Sequence, residues 1–320
     1  MNPPTTFETD PLPLPAKFLV ALARHWPIDR GRTRLRQLVV RSLAGRKPFV
    51  RVRLAESGLS VLAPWADQLG NIIVTYGDNE PDVFRLLCCC MRHRPTGLDL
   101  FVDVGANLGV FSLRMAERFG DLNVLAFEPN PAIAALLREN IDFNGLATRV
   151  TMRQVALGNH DGSMRLDTVQ GDSGASKVSA NSDGGVAIEM RQMTSEFPVT
   201  EWKRVPVIKI DVEGFELDVF EGARPLFEQH RPVVIYEVNR PELLERGQAP
   251  DAPGNFLRSV GYQRLLALDE VLYPPENGLY EVTNIAAFPP GSESLIDDYG
   301  FSERFAPRPQ RMWPVGHFKI

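Results

Sequence analysis

The sequence predicts an α/β fold in which a mostly parallel, twisted sheet carries helices on both faces, with an N-terminal helical and β extension in front. Three observations predict it. From residue 98 onward, short apolar runs alternate with turns and with segments of helical periodicity. Asp103-Val104-Gly105-Ala106-Asn107-Leu108-Gly109 forms a glycine turn directly after the first of these runs. Glu128 stands at the end of the second run, nineteen residues beyond Gly109.

Residues 1–16 carry Pro3, Pro4, Pro11, Pro13 and Pro15 and read as an extended or disordered arm. Two helices are expected over Lys17–Trp26 and Arg32–Ala44, where Leu and Val recur at helical spacing. Residues 49–63 read as strand, because Val50, Val52 and Leu54 alternate with arginines, and 71–75 as a short β-branched strand. A helix follows over Asp82–Arg92. The strand–turn–helix alternation then begins. Leu100–Val104 reads as strand, Val110–Phe119 as helix, Asn123–Phe127 as strand and Pro131–Phe143 as helix, its proline suited to a first turn. Val150–Leu157 is the third strand, with Ser163–Leu166 pairing beside it. Residues 168–187, rich in Gly, Ser, Asp and Asn, read as a mobile loop. Val205–Asp211 is a strand leading into helix Glu213–Leu226. Pro232–Val238 is a strand, Asn255–Val260 the end of a helix, and Tyr262–Leu268 and Ile285–Phe288 strands; 289–320 is a weakly patterned tail. Four segments follow from this pattern: arm and helices (1–48), a β/helical lead-in (49–97), the core (98–290) and the tail (291–320).

Composition narrows the function classes. Apolar residues make up 44% of the 320 and charged residues 23%, enough for a substantial core. A formal net charge of -5 lacks the basic footprint of a nucleic-acid binder, although arginines are dense from Arg24 to Arg53. That stretch reads as a solvated helical face. Cys88, Cys89 and Cys90 are consecutive, without a distant cysteine to pair with, so they are expected as free, buried, small apolar residues of a helix. No apolar run approaches a bilayer-spanning length, and the proline-rich N-terminus lacks the basic-then-apolar order of a secretory signal. A cytoplasmic protein is expected.

Ligands of open α/β sheets bind beyond the carboxyl ends of the strands, which is where Asp103–Gly109 lies. Gly105 lets the chain turn sharply and Gly109 allows close helix–strand packing. An acid at Glu128 is placed to accept hydrogen bonds from both hydroxyls of a ribose. The turn is not G-x-G-x-x-G, so a dinucleotide pyrophosphate lacks its usual cradle, and Asp103 would repel a diphosphate. The same charge suits a methionine amino group, which favours S-adenosylmethionine (SAM) over NAD.

A second cluster follows in Lys209-Ile210-Asp211-Val212-Glu213-Gly214, after an apolar strand. Lys209, Asp211 and Glu213 share one face if the strand continues through them. A lysine inside an apolar strand needs a carboxylate partner. Tyr236-Glu237-Val238-Asn239 sets Glu237 at the end of the next strand.

These motifs, taken together, resemble the FkbM family of SAM-dependent methyltransferases. The resemblance rests on Tyr76-Gly77 with Glu80-Pro81, on Phe101–Gly109, on Phe127-Glu128-Pro129-Asn130-Pro131, on Val155-Ala156-Leu157-Gly158 and on Lys209–Glu216, in that order. Gly222-Ala223 and the Glu237 strand also fit, and the likeness runs from about residue 50 to 290. It implies a Rossmann-like class I methyltransferase fold acting on a hydroxyl of a sugar or secondary metabolite. It implies SAM contacts at Asp103, Gly105, Ala106, Asn107, Gly109, Glu128, Pro129, Asn130 and Ala156, with Gly171–Ser176 as a loop over the site.

Methyl transfer to an alcohol needs in-line placement, exclusion of water and a base for the hydroxyl proton. Asp211 and Glu237 are the leading base candidates, with Lys209 pairing or tuning them; His160 and His230 are alternatives. Asp211, Glu213 and Glu237 would be the ligands if magnesium were used, but no metal is expected. The rival readings are an NAD-dependent oxidoreductase and a non-catalytic SAM-binding scaffold. The expected partners are a small-molecule acceptor and, for assembly, a second copy of the chain; no nucleic acid is expected.

Overall fold

The computed structural model describes residues 7–26, 31–169, 172–179, 185–268 and 282–300. The N-terminal part is α1 (Leu14–Arg24), α2 (Arg32–Leu43), the antiparallel pair β1 (Phe49–Arg53) and β2 (Ser60–Pro64), α3 (Gln68–Tyr76) and α4 (Pro81–Arg92). The alternating part follows with β3 (Leu100–Val104), α5 (Val110–Arg118), β4 (Asn123–Phe127), α6 (Pro131–Phe143) and β5 (Val150–Arg153). Next come β6 (Ala156–Leu157), β7 (Gly162–Val169), β8 (Asp172–Ser179), β9 (Val186–Arg191), α7 (Met193–Glu196) and a 3-10 turn at Val199–Arg204. The chain continues through β10 (Val207–Ile210), α8 (Glu216–Gly222), α9 (Arg224–Gln229), β11 (Val233–Asn239), α10 (Arg240–Glu245), α11 (Ala252–Ser259), β12 (Arg264–Ala267), β13 (Val282–Phe288) and α12 (Glu293–Tyr299).

Seven strands form the main sheet in the order β12-β13-β11-β10-β3-β4-β5, with β13 alone running against its neighbours. This is the Rossmann-like α/β sheet expected. The strand order reverses between β3 and β10, so the crevice beyond their carboxyl ends is where a ligand fits. Strand alternation sorts the side chains into two cores. Leu100, Val102 and Val104 of β3, Ile208 and Ile210 of β10 and Val234 and Tyr236 of β11 pack with Val219, Phe220, Phe227 and Leu257 from α8, α9 and α11. Phe101, Val207, Val233 and Ile235 face the other way, toward α4, α5 and α6, and that core runs on into α1–α3 and α12. Helices therefore cover both faces, and the lead-in shares a core with the sheet.

Six expectations change. Residues 71–75 are the middle of helix α3, not a strand. The Asp67 side chain caps that helix by accepting from the Gly70 N–H at 2.9 Å, and Ile73 and Val74 are buried in the core it shares with α4–α6. Packing of an amphipathic face outweighs the β preference of Ile and Val. Val150–Leu157 is two strands, because β5 edges the main sheet whereas β6 pairs in parallel with β9 in a separate four-stranded sheet, β6-β9-β7-β8. Ser163–Leu166 belongs to that second sheet and pairs with β9 and β8 rather than with β6. Within 168–187, residues 172–179 form strand β8, antiparallel to β7, and β9 begins at Val186. Glu213–Leu226 is a turn followed by two short helices, broken at Ala223 before Pro225. The tail contains α12. Residues 1–6 of the arm, 170–171 and 180–184 of the loop, and 301–320 of the tail lie outside the described residues.

Cys88, Cys89 and Cys90 are free and buried in α4, as expected. No described helix is long and apolar enough to cross a membrane.

Candidate active site

The cleft lies where the topology puts it, with a cavity of about 380 Å³. That is within the range of small-molecule sites. Its floor is the turn after β3. The N–H groups of Gly105 and Ala106 both donate to the Phe127 carbonyl, at 3.0 and 2.9 Å, which ties the turn to the end of β4. Gly105 has φ +82°, and a Cβ there would lie 1.8 Å from the backbone oxygen of Asp211. The glycine is thus required by the neighbouring chain. At Gly109, φ is +85° and a Cβ would lie 2.4 Å from a Leu137 methyl, so this glycine serves helix packing and does not line the cleft.

Glu128 lines the cleft at one end, with Pro129, Val155, Ala156 and Leu157 beside it. One of its carboxylate oxygens accepts the Asn107 backbone N–H at 3.0 Å, and the other accepts that of Asn130 at 2.8 Å. Burial pushes its pKa up to about 7, against the lowering effect of those two N–H groups. Asn130 itself stays outside the lining. Its side chain caps α6 by accepting from Ala132 N–H at 3.0 Å. A carboxylate held by two backbone donors keeps a fixed orientation and retains lone pairs for a vicinal diol. Ala106, Asn107, Pro129 and Ala156 line the same cleft.

Asp103 occupies a different place from the one expected. It is 1% exposed, lies beneath the turn rather than in the cleft lining, and accepts a 2.6 Å hydrogen bond from Ser112 Oγ. Its register partner across the sheet is Lys209. Burial raises its pKa and the Lys209 charge opposes that rise. The Asp103 carboxylate lies on the face of the sheet covered by α5, so the methionine contact expected of it, directly or through water, is not made by a residue of the cleft lining.

The other end of the cleft is acidic. Lys209, 2% exposed, donates to Asp211 Oδ2 at 2.8 Å and sits 4.8 Å from the centroid of the Phe111 ring. Burial alone would lower its pKa, but Asp211, Glu80 and Asp103 hold it above the usual lysine value. The predicted lysine–carboxylate pair is present. β10 stops at Ile210, so Asp211, Val212 and Glu213 form a turn, with Glu213 at φ +51°. Strand alternation does not bring the acids together; the turn does. Carboxylate oxygens of Asp211, Glu213 and Glu237 all lie within 4.8 Å of one another. Glu213 accepts from Asn239 Nδ2 at 2.8 Å, and burial followed by the Asp211 charge pushes its pKa up to about 8. Burial, then the same charge, raises Glu237 well above the usual carboxylate range. Three oxygens this close form a cation-binding geometry as well as a proton-sharing one.

Two contributors lie outside the predicted set. Glu216 is fully buried, and one of its oxygens accepts the N–H groups of Val212 and Gly214, both at 3.2 Å, which shapes the acidic turn. Gln68, Leu69 and Ile72 of α3, with Asn79 and Glu80, also line the cleft and so bring the lead-in into the site. Glu80 accepts from Asn284 Nδ2 at 2.6 Å. Asp67 placed just before an apolar run is the local signal that could have shown the helix cap; no local pattern marks these residues as lining the cleft. His160 and His230 are exposed and line no part of the cleft, which removes them as bases. Of the Gly171–Ser176 loop, Gly171 lies outside the described residues and 172–176 run along β8.

A family model described as the methyltransferase FkbM domain matches residues 103–264, half of the chain. Methyltransferase 1 of Beauveria bassiana is 28% identical over 142 residues, 38% of this chain and 57% of its own length. The 2-O-methyltransferase NoeI of Sinorhizobium fredii is 26% identical over 168 residues, covering 47% of this chain and 67% of its own. The hexuronic acid methyltransferase AglP of Haloferax volcanii is 31% identical over 144 residues, 45% of this chain and 56% of its own. The matches thus span 56% to 67% of the length of these relatives. Among solved structures, the methyltransferase FkbM of Methylobacillus flagellatus is 15% identical with a TM-score of 0.40, covering 69% of this chain and 61% of that one.

Proposed function

Because the chain belongs to the FkbM methyltransferase family, we propose that it moves a methyl group from SAM to a hydroxyl of a small molecule, a sugar or secondary metabolite. One observation carries this reading: a single cleft has Glu128 at one end and the Asp211–Glu213–Glu237 cluster at the other. The first end would take a nucleoside and the second a reacting hydroxyl. When bound, SAM supplies an already activated methyl group.

The chain's own residues would do the rest. Glu128 would accept from the ribose hydroxyls, while Pro129, Val155 and Leu157 offer an apolar wall for the base. Ala106 and Asn107 carry the backbone edge between the two ends, with Gly105 holding the turn against Asp211. Glu237 and Asp211 are the candidate bases for the hydroxyl proton. A raised carboxylate pKa makes Glu237 a stronger proton acceptor once ionised, which a cationic cofactor nearby would favour. Lys209 keeps Asp211 in place.

The lining also bears on the acceptor. Among the described residues it contains the carboxylates Glu80, Glu128, Asp211, Glu213 and Glu237 and one cation, Lys209, already bonded to Asp211. An uncharged hydroxyl acceptor fits such a lining better than a carboxylate or phosphate. Among the relatives, NoeI is named a 2-O-methyltransferase, which accords with an oxygen acceptor, whereas AglP is named for a hexuronic acid. The test is incubation of the protein with methyl-labelled SAM and a panel of glycosides and hydroxylated metabolites, with the labelled product identified. Label in an O-methyl ether supports the reading; label captured only by proteins contradicts it.

A further inference from the structure

A second cluster of ligating side chains lies away from the cleft, where the end of α4 meets α12. Cys89 and His93 are four residues apart on α4, which places them on one helical face. Asp298 comes from α12, more than two hundred residues later in the chain. Cys89 Sγ donates to Asp298 Oδ2 at 3.4 Å, and His93 Nε2 lies 2.8 Å from the same oxygen. The three ligand atoms all fall within 4.8 Å of one another.

We propose that Cys89, His93 and Asp298 form a binding site for a borderline-soft divalent cation of the zinc type, which clasps α12 to α4.

The ligand chemistry argues for it. A thiolate, an imidazole and a carboxylate are the donor types that Zn²⁺ takes, and the bond lengths to S, N and O imply tetrahedral edges of about 3.5 Å for S···O and about 3.3 Å for N···O. The Cys89–Asp298 separation already matches, and the His93–Asp298 edge needs to lengthen by about half an ångström, within the freedom of a half-exposed side chain on a helix end. Charge also balances. A dication, a thiolate, a carboxylate and a neutral imidazole sum to zero, so binding replaces two hydrogen bonds by metal bonds and releases the Cys89 proton to solvent. A cleft lined by Phe84, Arg92 and Tyr299 among others also includes Cys89 and Asp298 and leaves room for a fourth ligand. The Tyr299 hydroxyl, next in α12, donates to the Asp82 carbonyl at 3.0 Å, which already sets the two helices in register. This site does not depend on the proposed methyl transfer.

Cobalt(II) provides the test, because it reports its ligands in its spectrum and also distinguishes this site from the all-oxygen cluster of the cleft. The full chain, titrated with Co²⁺, is expected to develop a near-ultraviolet sulfur-to-cobalt band that saturates at one ion per chain, with d–d bands of tetrahedral strength. The band should vanish in Cys89→Ser and persist in the Cys90→Ser control, and Asp298→Asn, a change at an exposed side chain, should weaken binding at least tenfold. Zn²⁺ should compete the cobalt out. Absence of the sulfur band in the unaltered protein, or its survival in Cys89→Ser, would overturn the proposal.

Discussion

The backbone carbonyl of Asp211 lies where a side chain on residue 105 would have to stand, 1.8 Å from the Cβ position of Gly105. The Asp211 N–H in turn donates to the Val104 carbonyl at 2.9 Å. The glycine turn and the acidic turn are therefore one structure, locked across the point where the strand order reverses. Gly105→Ala combines a left-handed φ with a backbone clash and is expected to cost more than about 3 kcal/mol, enough to lower the melting temperature steeply and deplete soluble protein. A variant with an unchanged thermal transition would show that the two turns are not in contact.

Lys209 is the sole cation of the cleft lining among the described residues, and it is buried against Asp211 with Asp103 as its register partner. Lys209→Met would leave Asp103 buried and Asp211 part-buried without a counter-charge, a loss of about 3 kcal/mol. Denaturant unfolding would measure it. A loss below about 1 kcal/mol, the scale of exposed pairs, would mean the pair is solvated.

Glu237→Gln keeps the shape of the side chain but removes a proton acceptor. The expected outcome is a fall in kcat of about 10²–10⁴ with SAM affinity changed only a few-fold. A fall in affinity alone would move Glu237 from base to binding residue.

The buried acids give a pH dependence of definite sign. Glu128 and Glu216 are raised to about 7 and Glu213 to about 8, chiefly by burial, and Glu237 is raised well above its usual range. The native state thus holds protons that the unfolded chain has already lost, so this contribution is complete below about pH 4.5 and declines as pH rises through 7 to 8. The ligand-free protein should melt higher near pH 5.5 than near pH 8.5, and a cationic cofactor should narrow that gap. A rise in stability across the same interval would contradict the buried cluster.

Much of this was legible in the sequence because it is local. The turn at Asp103–Gly109, the acid at Glu128, and the need of Lys209 for a carboxylate all follow from residues a few positions apart or from the cost of burying a charge. The α3 segment was misread because Ile72, Ile73 and Val74 favour strand by themselves, and only the Asp67 cap and the long-range packing of its buried face make it helical. The break between β5 and β6 depends on which sheet each strand joins, which no local pattern carries. Asp103 was placed in the cleft by its position before the turn. It shares a sheet face with its register partner Lys209, and Ser112 of α5 covers it there, which only the packing of α5 on β3 decides.

The central claim is that Glu128 closes a SAM site in this cleft, and calorimetric titration of the chain with SAM and with NAD tests it most directly. SAM should bind at one site per chain, Glu128→Gln should weaken it about 10–100-fold, and NAD should give no heat of binding. No SAM binding at millimolar concentration, or tighter binding of NAD, would contradict the account.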